Sequence, residues 1–190
     1  MIASPARQVA GRVRELQALT LGVTRDLTEA QLRWQPGPHA PAIRFHLWHI
    51  ARWADLVQAG LPAMSPDLLA RVGAGRAIWD DERLAERWGL AGGDLGFLAT
   101  GMGLADEAAA ALPLPEGGAL LDYAARAFAA VERVVAAVDD DLFVVAGRDL
   151  LDREASIGAA ILNHLLHVGR HLGMIEALRG VQGLRGTATR

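Results

Sequence analysis

The sequence contains no cysteine. This absence excludes disulfide frameworks, thiolate nucleophiles and cysteine-based zinc sites, and it agrees with a cytoplasmic location. Long hydrophobic runs are also lacking, since no apolar stretch approaches the roughly 20 residues that a membrane-spanning helix needs. The first residues, MIASPARQVAGRVREL, carry charge every few positions and have no apolar core of a signal peptide. We therefore expect a cytoplasmic protein without a membrane partner.

An excess of basic charge is missing as well. The chain carries 19 Lys and Arg residues against 22 Asp and Glu, which gives a formal net charge of −3 at pH 7. No basic stripe alternates with aromatic residues, so nucleic acid is not an expected partner. With 52% hydrophobic and 22% charged residues, the composition is that of a globular protein, and we expect one domain over residues 1–190.

Four long segments show helical periodicity, with apolar residues three or four positions apart. In the first segment Val9, Val13 and Leu16 have this spacing, and they follow Ser4 and Pro5, which are typical of a helix N-terminus. The predicted helices cover about 5–26, 42–59, 118–138 and 156–178, and Thr28 caps a short additional one. The pattern predicts an all-α fold, namely a four-helix bundle with long crossover connections.

Two connections interrupt the helices. Residues 61–116 hold several glycines and short helical patterns at 66–72, 80–88 and 104–112. An irregular segment of this length typically covers a functional site. The second connection, 139–152, includes Val144 and Val145, which could pair as a short strand. Residues 181–190 form a polar tail that we expect to be loose.

All six histidines fall in two segments: His39, His46 and His49 in the first, and His164, His167 and His171 in the second. His167 and His171 are four positions apart, so both imidazoles lie on one face of a helix and can bind one metal ion. His49 lies mid-helix between apolar neighbours, where a bundle could bring it to the same site. Three imidazoles leave a coordination position open; Zn²⁺ suits them, and Ni²⁺, Fe²⁺ and Mn²⁺ also fit.

The same histidines have simpler interpretations. A histidine pair at this spacing is more often not a ligand pair, and a lone mid-helix histidine such as His49 is more often a hydrogen-bonded core residue. His46 and His164 could support the site or lie on a helix surface. His39, in a loop rich in proline, is expected to be solvated.

Other candidate residues carry weaker signals. Arg52 follows His49 by three positions and is a candidate catalytic residue that could hold an anionic substrate group; a salt bridge to Asp55 is an equally good interpretation. Asn163 could support His167. Further candidates are Trp79 and Trp88, which could line a pocket, and Asp122, which could supply an acid from another helix.

Three blocks of the sequence resemble the DinB/YfiT-like family of metal-dependent enzymes. They are LTEAQLRWQPGPHAPAIRFHLWHIARWADL with its WHIAR core, RAIWDDERLAERWGL, and ILNHLLHVGRHLGMIEALRGVQGLRGTA with its histidine pair. The family is a four-helix bundle with a three-histidine metal site, one histidine coming from the second helix and two from the last. The resemblance assigns these ligands to His49, His167 and His171.

The resemblance implies a divalent-metal enzyme, with Zn²⁺ or Ni²⁺, that acts on a small molecule. Some family members use low-molecular-weight thiols as cosubstrates in transferase or isomerase reactions, and others are regarded as hydrolases. No acidic residue stands between His167 and His171, which mildly favours thiol chemistry because no water-activating base is required. The alternatives are a non-catalytic module that binds or senses a small molecule or a metal, and a structural protein that forms a homodimer through an exposed apolar helix face.

Overall fold

The computed structural model describes residues 4–187. Four long helices dominate this part of the chain, and short helices and one hairpin join them. In chain order the elements are α1 (Pro5–Thr24), α2 (Glu29–Arg33), α3 (Ile43–Gly60), a 3₁₀ helix (Leu61–Met64), α4 (Pro66–Val72), α5 (Ile78–Asp81), α6 (Leu84–Arg87), α7 (Asp106–Ala111), α8 (Gly117–Ala136), α9 (Asp140–Phe143), β1 (Ala146–Arg148), β2 (Glu154–Ser156) and α10 (Ile157–Val181).

The four long helices pack as a bundle, which confirms the predicted all-α fold. α3 lies against α8 and α10, and α1 lies against the same two helices. Large apolar side chains close the centre, and Trp48, Leu120, Phe128 and Ile157 are almost completely buried. Burial of such side chains stabilises each by about 1.5–3 kcal/mol, so the bundle interior is the main source of stability. None of the described helices is both long and apolar enough to cross a bilayer.

Local capping explains where the helices begin. Ser4 and Ser156 each accept a hydrogen bond from a backbone N–H three residues later, and Thr28 forms a reciprocal capping box with Gln31. These side chains satisfy N–H groups that have no partner inside the helix. The polar residues recognised in the sequence therefore start α1, α2 and α10 as predicted.

Two of the predicted helical segments differ most from the structure. α10 continues to Val181 instead of ending at 178, because Gly180 does not take a left-handed conformation and Gly183 does, with φ of +76°. The helical pattern at 80–88 is divided between α5 and α6, since Arg83 has φ of +51° and interrupts the helix.

Past the end of α10, Thr187 N–H donates to the Glu176 carboxylate over 2.8 Å. The rest of the predicted loose tail, 188–190, lies outside the described residues.

A hairpin interrupts the second connection. β1 and β2 pair in antiparallel fashion, with Ala146 opposite Ser156 and Arg148 opposite Glu154. Val144 and Val145, for which pairing as a short strand was one option, lie just before β1, and the Val145 carbonyl accepts from Ile157 N–H at 2.9 Å. The hairpin leads directly into α10 and places its tip beside the histidine-bearing face of that helix.

Candidate metal centre

Three histidines meet between α3 and α10. His49 comes from the middle of α3, and His167 and His171 lie one turn apart on α10. One ring nitrogen from each histidine lies within 4.8 Å of the other two. His49 Nε2 is 2.9 Å from His167 Nε2, and the ring centroids of His49 and His171 are 4.6 Å apart. The structure thus brings together the three residues that the sequence predicts as metal ligands.

A backbone carbonyl orients His49. Its Nδ1 lies 2.5 Å from the carbonyl oxygen of Thr100, which can only accept, so Nδ1 carries the proton. The lone pair of the neutral ring is therefore on Nε2, the atom that faces His167. Metal-binding histidines are commonly held in this way by a hydrogen bond to the nitrogen that does not bind the metal.

His46 has the corresponding role toward His171. The Nδ1 atoms of these two buried rings are 3.0 Å apart, so one must donate and the other accept. When His171 donates, its Nε2 has a free lone pair and His46 acts as the acceptor. The sequence left the role of His46 open, and the structure places it directly behind a candidate ligand.

Burial keeps the three rings neutral at pH 7. Burial, followed by the neighbouring His49, lowers the pKa of His167 to about 3 and that of His171 to about 2. Burial also lowers the pKa of His49, and the bond to the Thr100 carbonyl opposes this effect. Neutral imidazole is the form that binds metals. Three unprotonated rings, two of them with a defined orientation, fit a divalent cation by donor type and protonation.

The other histidines do not belong to the cluster. His164 is buried, and its Nε2 lies 3.3 Å from Gln17 Nε2, whereas its Nδ1 has no hydrogen-bond partner among the described residues. Burial lowers its pKa to about 4. His39 is exposed and pairs with Glu107 at 2.7 Å, away from the centre.

Arg52 lies behind the site. Only 2% of its surface is exposed, and its Nη1 donates to Asp55 at 3.3 Å and to the Tyr123 hydroxyl at 3.2 Å. Its other donors bind the carbonyls of Leu98 at 3.1 Å and Ala99 at 3.0 Å. This placement favours the salt bridge to Asp55 over contact with a substrate.

Arg52 supports the segment that orients His49. The segment 97–102 contains Leu98 and Ala99 in the left-handed region, with φ of +50° and +52°. Such conformations are strained for residues with side chains and require support from their surroundings. The two Arg52 hydrogen bonds hold these residues, and the next carbonyl, that of Thr100, accepts from His49.

A cavity of about 740 Å³ opens beside the three histidines. α3 and α10 form two of its sides, and Trp53 of α3 lies edge-on to His167 with ring centroids 5.9 Å apart. The remaining sides come from the long connection, through Leu61, Met64 and Met102, and from the hairpin. A few positions of the segment 61–116 therefore line the cavity, and its role as a cover stays a prediction.

Comparison with known proteins identifies the family. A sequence profile of the DinB superfamily matches residues 12–175. The chain belongs to the DinB superfamily. A solved structure described as the conserved protein of a locus from Enterococcus faecalis aligns with a TM-score of 0.70 and 16% identity, over 94% of this chain and 96% of that one. At this identity the likeness concerns the fold alone. No curated protein matches the sequence.

In this DinB-superfamily chain, only some of the weaker candidates lie near the cavity. Asn163 lines it, but no hydrogen bond joins Asn163 to His167 among the described residues, so its support of His167 stays a prediction. Trp79 and Trp88 instead pack on each other, with ring centroids 5.5 Å apart and without lining the cavity. Asp122 is exposed and pairs with Arg126 at 2.9 Å. Thr100 could not be recognised from the sequence, because any residue type can supply a backbone carbonyl.

Proposed function

We propose that this protein is a metal-dependent enzyme in which His49, His167 and His171 bind one Zn²⁺ or Ni²⁺ ion. The observation that carries the proposal is the convergence of three neutral imidazole nitrogens beside a cavity large enough for a small molecule. Ligands drawn from two helices, with carbonyl and imidazole partners behind them, are typical of a site for a metal in a helical bundle.

Each residue has a defined task in this proposal. A bound ion would supply Lewis acidity and lower the pKa of a group that binds it. The Thr100 carbonyl keeps the His49 lone pair on Nε2. His46 Nδ1 accepts a hydrogen bond from His171 Nδ1, which leaves the His171 lone pair on Nε2. Trp53, Met64 and Met102 give the cavity apolar walls on which the body of a substrate could pack.

The carboxylate groups that line the cavity favour thiol chemistry over hydrolysis. Among the described residues that line the cavity, Asp149 is the one carboxylate. Its oxygens accept from the backbone of Leu151 and Arg153 and from the Arg153 side chain, so none is available as a base. A low-molecular-weight thiol, which is acidic enough to lose its proton to solvent once bound, is therefore the cosubstrate that we include in the proposal.

Metal content tests the site. We expect about one equivalent of Zn²⁺ or Ni²⁺ in the wild type by plasma mass spectrometry, and loss of this metal in His167→Ala with His171→Ala. His39→Ala is the matched control because His39 is exposed and outside the cluster. A wild type that stays metal-free after reconstitution, or a double variant that retains the metal, would contradict the site.

Turnover tests the reaction. Metal-loaded wild type should consume electrophilic substrates together with low-molecular-weight thiols, and the double variant should not. Metal binding with no turnover of thiols or esters would instead indicate a non-catalytic binding module.

A further inference from the structure

The charges around the cavity are unbalanced. Arg148, Arg153 and Arg170 line it, against the single carboxylate of Asp149. Arg153 is engaged by Asp149, with Nε at 2.9 Å and Nη2 at 2.6 Å from Oδ2. Arg148 binds Asp152 within the hairpin. Arg170 has neither an ion pair nor a hydrogen bond within residues 4–187, so its positive charge is not compensated there.

Arg170 also has a suitable position. It precedes His171 directly and follows His167 by three positions, while Asn163 lies seven positions earlier, so Asn163, His167 and Arg170 share one face of α10. After burial and neighbouring histidines, the Arg170 charge is a further cause that lowers the pKa of His167 and His171. Because Arg170, His167 and His171 also line the same cavity, the guanidinium can act on a molecule bound beside the candidate metal centre.

The rest of the cavity is mostly apolar. Val57, Leu61, Met64, Leu150 and Leu151 line it and carry no group that could neutralise an anion. A volume of about 740 Å³ is ample for a small organic molecule. A cation beside apolar walls complements a ligand that has both an anionic group and an apolar body.

We propose that the cavity binds a small organic anion, whose charged group is held by Arg170 with Asn163 as a hydrogen-bond partner and whose body packs on the apolar walls. This inference rests on the proposed function in so far as the cavity is the substrate site, and it makes Arg170 the residue that selects substrates by charge. A planar guanidinium suits this task because it can donate two parallel hydrogen bonds to a carboxylate. The anion-holding role for which Arg52 was one candidate would thus fall to an arginine on another helix.

Binding of matched anionic and neutral probes tests the proposal. The probes are octanoate with octanamide, and 4-phenylbutyrate with its amide. They are titrated by calorimetry and by tryptophan fluorescence, to which Trp53 in the cavity wall contributes. Each titration is made on zinc-loaded protein and on protein stripped with a chelator, because a carboxylate could also bind the metal directly. In stripped protein we expect each carboxylate to bind about tenfold more tightly than its amide.

Variants assign the preference to one residue. Arg170→Gln should remove the tenfold preference, and Arg170→Lys should restore part of it by returning the charge without the fork geometry. Arg133→Gln is the matched control, since Arg133 is also an exposed arginine on a long helix and does not line this cavity. It should leave the preference unchanged.

Three results would overturn the proposal: no binding of either carboxylate, equal binding of carboxylate and amide to wild type, or an undiminished preference in Arg170→Gln. Metal content separates these failures from those of the metal site. If the protein binds metal but shows no preference for anions, only the anion-binding proposal is contradicted. If the protein stays metal-free but prefers carboxylates through Arg170, only the proposed metal chemistry is contradicted.

Discussion

Replacing Asp55 by asparagine should destabilise the protein strongly. Asp55 is completely buried on α3, and its two oxygens accept five hydrogen bonds. Oδ1 accepts from Gln58 Nε2 at 3.0 Å and Ile78 N at 2.9 Å; Oδ2 accepts from Arg52 Nη1 at 3.3 Å, Trp79 N at 2.9 Å and the Tyr123 hydroxyl at 3.0 Å. The carboxylate thus joins α3, α5 and α8 and compensates the Arg52 charge.

The magnitude follows from this geometry. An asparagine amide must direct its NH₂ group at one of the two oxygen positions, so at least two donors lose their acceptor whichever way it points. Each unsatisfied buried group costs about 1–3 kcal/mol. Removing one partner of a buried ion pair costs about 3–5 kcal/mol, and the two effects overlap. We expect the free energy of unfolding to fall by about 4 kcal/mol, a large part of the about 5–15 kcal/mol typical of a domain.

Urea unfolding followed by circular dichroism measures this loss. Asp122→Asn is the control, because Asp122 is an exposed aspartate, with 66% of its side chain accessible, in a surface pair with Arg126. Such a pair contributes about 0–1 kcal/mol. A loss in Asp55→Asn no larger than that of Asp122→Asn would refute the assignment of Asp55 as the main acceptor of this cluster.

Three further predictions concern the site and its surroundings. His46→Ala should weaken metal affinity by about 10–100-fold in competition with a chelator, because His171 loses its hydrogen-bond partner. In metal-free protein the pKa of His164 is lowered to about 4 by burial, below about 6.5 in the unfolded chain, so the unfolded state binds more protons and stability falls as pH falls between these values. Gly75→Ala should cost about 1–3 kcal/mol, since the new Cβ would lie 2.5 Å from the Ala59 carbonyl oxygen.

Each of these has its own control. Metal affinity should be unchanged in His39→Ala, and equal affinity in His46→Ala would exclude a supporting role for His46. His164→Leu should reduce the fall in stability between pH 6.5 and 4; an identical pH profile would contradict the effect of burial on this histidine. Gly11→Ala, at a helix position where a Cβ meets no atom within 4 Å, should be neutral or stabilising.

The parts of the site that the sequence predicted are those that depend on one helix. The four-residue spacing of His167 and His171 places them on one face of α10 in any fold, and the N-terminal residues of α1 and α10 are recognisable from local capping. His49 required the bundle arrangement as well, which the helical pattern predicted, and the family resemblance supplied its assignment as the third ligand.

The missed parts depend on contacts between distant segments. The hydrogen bond between His49 Nδ1 and the Thr100 carbonyl joins positions 51 apart, and the one between His46 and His171 joins positions 125 apart. Arg52 had two equal interpretations from spacing, because an i+3 salt bridge and a substrate contact use the same helix face. Only the position of the segment 97–102 shows that its donors are already engaged.

The positions of the three candidate ligands in the sequence would also affect the order of events during synthesis. His49 and His167 are separated by 118 positions, and α10 is the last helix of the described chain. An ion at this site would therefore act as a cross-link between an early and a late segment, closing a loop of more than 100 residues. A nascent chain that ends before α10 has only His49 of the three candidate ligands, so tight metal binding at the proposed site would have to follow translation of His171.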